Sequence, residues 1–397
     1  MIAACGLGGM AVCPSILALG IRVPDQDAFA TARGNAFAAT ADDPAAVYYN
    51  PAGITQLEGM NLSIGAYGIE YGSHFDGPTA TKNSRTELAA LPQTFTTISC
   101  SNCHLAFGLG VYAPYGFSMD WPYSAPWVLA GQPNSSEIDY LRLNPVIAYQ
   151  PFDSVSIAAG PMFDYADAEL KINNFGFGAP GVPFGNHARF RGRATDAGFN
   201  AGILWRPFEQ HSFGITYRSA TDMNFEGHAQ SPLFHTAAVG ANYHFPQTLT
   251  FGYSFRPTSN WNFEADADWS DWSSLRTLQL VSSSPVYNSV SLPFNWSPSW
   301  MFEFGATRYL GDGWQLSAGY MYSLNTVPTA DFNPLVPDSD RHIFSVGVGK
   351  KYKRLSWNVA YQFAWGPPRN VSSTTPGVSG SYEFFSNALS VNFGYHF

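Results

Sequence analysis

Charge is what this sequence has least of. Asp, Glu, Lys and Arg make up 12% of its 397 residues, against roughly 25% in typical globular domains, so too little charge is present to coat a water-facing surface. Long apolar runs are missing as well. No internal segment approaches the ~20 consecutive apolar residues of a transmembrane helix, which excludes a helical membrane protein. Basic residues number 20 against 29 acidic ones and form no run, so nucleic acid is not a partner. Nine histidines are scattered without ligand spacing, and neither a G-x-S-x-G nor a Gly-Lys-Ser/Thr run occurs. No cofactor, metal or enzyme activity is called for.

What the sequence does hold is aromatic residues, 31 Phe, 21 Tyr and 11 Trp, interleaved with small polar ones. In the last segment Leu389, Val391, Phe393, Tyr395 and Phe397 share one face, and Ala388, Ser390, Asn392, Gly394 and His396 the other. Period two marks a strand. A soluble sandwich would place Lys and Glu on its second face; Ser, Gly and Asn there suit a crowded lumen. The expected fold is all-β, a transmembrane antiparallel up-and-down β-barrel of about 14 strands. The strands are expected near 61–71, 88–100, 103–113, 137–151, 154–173, 187–206, 211–230, 236–256, 260–281, 298–310, 313–325, 340–352, 354–366 and 385–397. Closure is required because an open sheet edge leaves unpaired N–H and C=O groups in lipid. Connections alternate short and long, assigning the short turns to the periplasmic rim and the long stretches 114–136, 174–186 and 367–384 to the outside. Trp261, Trp269, Trp272, Trp296, Trp300 and Trp314 stand near strand ends, where interfacial girdles form.

The N-terminal part differs. Residues 1–20 are small and apolar and end in Ala18-Leu19-Gly20, which reads as a signal peptide. Residues 21–60 read as a plug and 61–397 as the barrel. Within the plug, Gly34 to Gly53 (GNAFAATADDPAAVYYNPAG) is apolar without clean periodicity. Asp43-Pro44 and Asn50-Pro51 forbid one long helix, because the residue before proline is pushed from the helical region. A compact, broken, apolar segment suits a lumen.

Three stretches invite chemical readings. Cys100-Ser101-Asn102-Cys103-His104 matches the c-type haem attachment pattern, yet it falls at the tip of a hairpin. A disulfide between Cys100 and Cys103 is expected in an oxidising compartment, with free thiols and haem as alternatives. Glu264, Asp266 and Asp268 share one strand face; paired carboxylates can do acid and base work, but three in a row are expected to line a wet channel, balanced by Arg218 and Arg256. Pro114 to Leu129 (PYGFSMDWPYSAPWVL) supplies Phe117, Met119, Trp121, Trp127, Val128 and Leu129 in a loop assigned to the outside. Exposed apolar clusters bind apolar partners, so these six are expected to form an extracellular groove; the alternative is a loop packed inward on itself.

These stretches together resemble the FadL family of outer-membrane transporters for long-chain fatty acids and other hydrophobic compounds. Gly34 to Gly53 looks like the family's N-terminal hatch with its Asn-Pro-Ala element, here Asn50, Pro51 and Ala52. Phe107 to Phe117 (FGLGVYAPYGF) is similar to the third strand and its exit, and Pro246 to Ser274 and Pro337 to Val348 are similar to later strands. The terminal Phe397 resembles the ending that outer-membrane assembly recognises. The resemblance implies a fourteen-stranded, hatch-blocked barrel that uses no ATP and acts as a monomer in outer-membrane lipid. A fatty acid would land in the groove, enter a lumenal pocket and leave sideways through an inward kink of the third strand. The kink would fall at Ala113, Pro114, Tyr115 and Gly116, with Asn50-Pro51-Ala52 against it as a latch. Uptake of an uncharged aromatic hydrocarbon, or a porin for polar solutes, are the alternatives.

Overall fold

The computed structural model describes residues 20–397 apart from 101, 102 and 177; the leader-like residues 1–19 lie outside the described residues. Fourteen antiparallel strands form the wall. They are β1 (Gly59–Asp76), β2 (Glu87–Cys100), β3 (Leu105–Tyr112 and Gly116–Asp120), β4 (Pro133–Phe152), β5 (Val155–Asn173), β6 (His187–Phe208) and β7 (His211–Arg218 and Thr221–Gln230). The second half comprises β8 (Ala237–Phe245 and Gln247–Thr258), β9 (Trp261–Asp271), β10 (Ser299–Tyr309), β11 (Trp314–Ser323), β12 (Arg341–Tyr352), β13 (Leu355–Trp365) and β14 (Gly380–His396). Each strand pairs with its sequence neighbours, and β14 closes on β1 in a ladder running from Asn61 opposite His396 to Asp76 opposite Ser381. The β14–β1 pairing closes the sheet on itself, as a bilayer demands.

Burial is inverted relative to a soluble protein, and this identifies the outer face. On β14, Leu389 and Phe393 are 53% and 64% exposed, while Ser390 and Asn392 are 0% and 6% exposed. Phe251 and Tyr253 on β8 are exposed, with Thr250 and Ser254 buried on either side of them. Along these stretches apolar side chains face outward and polar ones inward, the arrangement of a lipid-embedded barrel. No helix among the described residues is long and apolar enough to cross a membrane.

Several strands are broken where the sequence pattern is continuous. Pro246 interrupts β8 because it has no N–H to give a ladder. The alternation that ran to residue 281 stops at Asp271: Trp272 turns inward and packs edge-on against Trp296, ring centroids 4.9 Å apart. Trp272 and Trp296 are fully buried and join no girdle, whereas Trp261, Trp300 and Trp314 are exposed on the outer face.

Residues 20–58 lie against the inward side chains. Asp27 caps the helix Ala28–Ala32 by accepting from the N–H groups of Phe29 (2.7 Å) and Ala30 (3.2 Å). A second short helix, Ala46–Tyr49, ends at Asn50, whose Oδ1 accepts from Ala52 N and starts the 3₁₀ turn Pro51–Gln56. The two X-Pro bonds thus break the segment into single turns that fill the barrel's width.

Candidate functional site

The longest strand edge left without its wall partner among the described residues that also adjoins the plug is at β2 and β3. The β2–β3 ladder runs from Cys100 opposite Leu105 to Gln93 opposite Tyr112 and ends there; the β2 residues Glu87 to Pro92 pair with β1 alone. Pro114 has no N–H, and β3 resumes at Gly116 paired only with β4. Tyr112 faces Arg142 and Gly116 faces Asp139, so β3 carries one extra residue, a bulge that bends the strand. The freed backbone groups are taken by the N-terminal segment. Val23 N donates to Pro114 O (2.9 Å), Gly116 N donates to Ile21 O (3.1 Å), and Gln26 Nε2 donates to Ala113 O (2.9 Å).

Two cavities meet at this break. One, of about 360 Å³, lies between Leu91 and Pro92 of β2 and Tyr115, Phe117, Ile138 and Tyr140 of β3 and β4. The other, of about 70 Å³, lies inside the barrel among Ile21, Leu170, Phe190, Phe225, Leu292 and Val336. Phe117, Glu137 and Ile138 line both. The two cavities therefore adjoin at Phe117, Glu137 and Ile138.

The acidic face of β9 is not a channel lining. Glu264 Oε1 accepts from Ala39 N (2.6 Å) and Thr40 N (3.1 Å), and its Oε2 accepts from the Arg33 guanidinium (3.1 Å). Asp266 Oδ2 accepts from Phe37 N (2.9 Å) and Ala38 N (2.8 Å), and Asp268 holds Arg22 by two bonds of 2.7 Å. The lone pairs that were expected to meet water hold the plug instead. Arg256 binds Asp42 (2.7 Å), and Arg218 donates to Tyr48 O while lying 4.3 Å from that ring's centroid. Within the plug, burial pushes the Asp27 carboxyl up to about 6, against the downward pull of its capping N–H bonds.

The predicted groove is folded inward. Trp121 and Trp127 are 1% and 0% exposed; Phe117, Met119 and Val128 are also buried, and only Leu129 of the six is exposed, at 43%. Trp121 packs edge-on against Trp127, ring centroids 4.9 Å apart, and donates its indole N–H to Pro334 O (2.8 Å), while Trp127 meets Phe75 at 5.0 Å. These rings have partners on three other elements, and burying them removes more apolar surface from water than an open groove would. Trp127→Ala should therefore loosen the extracellular cap by about 3–5 kcal/mol, read as loss of near-UV circular dichroism at lower temperature with the β-sheet signal retained.

Asn50 does not reach the break in β3. Its Nδ2 donates to Ala38 O (2.8 Å) and to Ile203 O of β6 (3.0 Å). Gly202 accommodates it: a Cβ there would collide with Asn50 Oδ1 and crowd Pro51. Pro51 and Ala52 are buried beside it. The segment touching Ala113, Pro114, Tyr115 and Gly116 is Ile21 to Gln26, which no motif had marked; its sole signal was the alternation of Ile21 and Val23 around Arg22. Cys100 and Cys103 are joined by a disulfide, Cα atoms 5.5 Å apart, in the short turn between β2 and β3.

Residues 9–397 match the family described as outer membrane protein transport protein (OMPP1/FadL/TodX). A long-chain fatty acid transport protein of Salmonella typhi is 22% identical over 400 residues, 90% of this chain and 88% of the relative. Among solved structures, a Pseudomonas aeruginosa FadL homologue superposes with a TM-score of 0.81 at 20% identity, covering 95% of this chain and 99% of its own. The Ralstonia pickettii toluene transporter TbuX superposes with a TM-score of 0.74 at 19% identity, covering 94% and 98%.

Proposed function

The chain belongs to the OMPP1/FadL/TodX family, outer-membrane channels that transport hydrophobic compounds and are not enzymes, and from that premise we propose that its ligand crosses the barrel sideways. The ligand occupies the apolar cavity inside the barrel, passes Phe117 and Ile138, and leaves into lipid between β2 and β3. The observation that carries this route is the pair of cavities with a shared lining at the one wall segment where β2 lacks its β3 partner.

The driving force is elementary. Each buried CH₂ is worth about 0.8 kcal/mol, so an apolar solute gains nothing from a watery pore and gains steadily from a chain of apolar pockets that ends in lipid. The named relatives include a fatty acid transporter and a toluene transporter, and the Leu, Phe and Val lining serves the apolar part of either ligand. A porin for polar solutes is disfavoured by the carboxylate-anchored plug.

Phe117→Ala merges the two cavities. Uptake of a hydrophobic probe by cells that produce the variant is expected to rise above that of the wild type, while the plugged barrel still conducts no steady ion current in a planar bilayer. An unchanged uptake rate would remove Phe117 from the path.

A further inference from the structure

Resting on that route, we propose that a carboxylate rim at the wall opening excludes anionic head groups, so that this chain's ligands are uncharged apolar molecules. The wall cavity is lined by Glu87, Glu137 and Asp139, and among the described residues no Lys or Arg lines it. The inner cavity has Glu137 and Glu169 at its edge and again no Lys or Arg.

The charges around the rim decide which carboxylates are free to act. Glu169 is neutralised by Lys171 (2.8 Å) and by Arg189. Arg191 (3.1 Å) and Arg193 (2.9 Å) are both spent on Asp167, which stands opposite Asp139 across the β4–β5 ladder. Glu137 stands opposite Glu169 in the same ladder, and like charges placed directly opposite repel. Glu87, Glu137 and Asp139 have no ion pair or side-chain hydrogen bond among the described residues. Arg85 and Lys171 attract Glu87 through space and Arg191 attracts Asp139, but none of the three enters the lining.

Deeper in the barrel three arginines are paired with carboxylates, and Arg218 is held by Tyr48 O and the Tyr48 ring. Arg22 is held by Asp268, Arg33 by Glu264 and Arg142 by Asp164 at 2.6 Å. A ligand carboxylate that passes Phe117 therefore leaves a cavity lined by no Lys or Arg among the described residues and enters a rim of its own sign. An alcohol or a hydrocarbon meets neither obstacle.

The test compares decanol with decanoate, one neutral and one anionic at neutral pH, in uptake by cells that produce the full chain, corrected for cells without it. The wild type should take up decanol about tenfold faster than decanoate, the size expected from like charges at a protein surface. The triple variant Glu87→Gln, Glu137→Gln, Asp139→Asn should raise decanoate uptake several-fold relative to decanol uptake. Decanoate uptake equal to or faster than that of decanol in the wild type would overturn the rim's role, as would a triple variant that leaves decanoate uptake where it was. Uptake of neither compound above the control would instead overturn the sideways route itself, and the selectivity with it.

Discussion

Glu264→Gln should unseat the plug and leave the wall standing. The Glu264 carboxylate, fully enclosed, accepts from two plug backbone N–H groups and from Arg33. Gln has the same shape but no charge, so the buried Arg33 guanidinium loses its counter-ion, a change that costs about 3–5 kcal/mol. Its amide nitrogen also brings donors to a site where the plug already presents donors. The wall does not depend on this residue's charge, because β9 stays bonded to β8 and β10 through its backbone. In a planar bilayer the variant is expected to conduct ions steadily, and protease should cleave within residues 20–58 while the barrel keeps its heat-modifiable migration. A variant as silent and as resistant as the wild type would show that the plug is held elsewhere.

Gly116→Trp should close the wall. Gly116 is the first β3 residue beyond the break, and its backbone is not in the left-handed region that only glycine tolerates. A Cβ added there meets Ile138 O at 3.6 Å and Leu91 Cδ2 at 4.0 Å, ordinary contact distances. The larger side chain then has one place to go, the cavity of about 360 Å³ between β2 and β4. Uptake of a hydrophobic probe is expected to fall to about one-tenth or less, since a filled apolar passage offers no buried path for the solute. Gly116→Ala is the control and should transport normally. A tryptophan variant that assembles and transports at the wild-type rate would place the exit elsewhere.

Both predictions rest on residues whose partners the sequence left unassigned. The carboxylate row Glu264, Asp266 and Asp268 was legible as three acids on one inward face, and a wet lumen was the natural expectation for them. Their real partners are supplied by the plug: Arg33 lies 231 residues from Glu264, and Arg22 lies 246 from Asp268. The loop from Phe117 to Leu129 was legible as an apolar cluster, but exposure and burial have the same composition. Only the arrival of Phe75 and Pro334 beside Trp121 and Trp127 turned it inward.

The sequence by itself determined the closed barrel, a count of about fourteen strands, the lipid-facing side of the strands and the breaks in the segment ahead of them. All of these follow from short-range rules: period two sorts a strand's faces, a bilayer forbids an open edge, and proline restricts the residue before it. Tertiary structure alone decided where the β2–β3 ladder ends, that Ile21 to Gln26 rather than Asn50 bonds to the backbone at that break, and which charges remain unpaired around it. Those outcomes are set by hydrogen-bond and charge partners far apart in the chain. A local pattern states which way a side chain points, and not what it meets there.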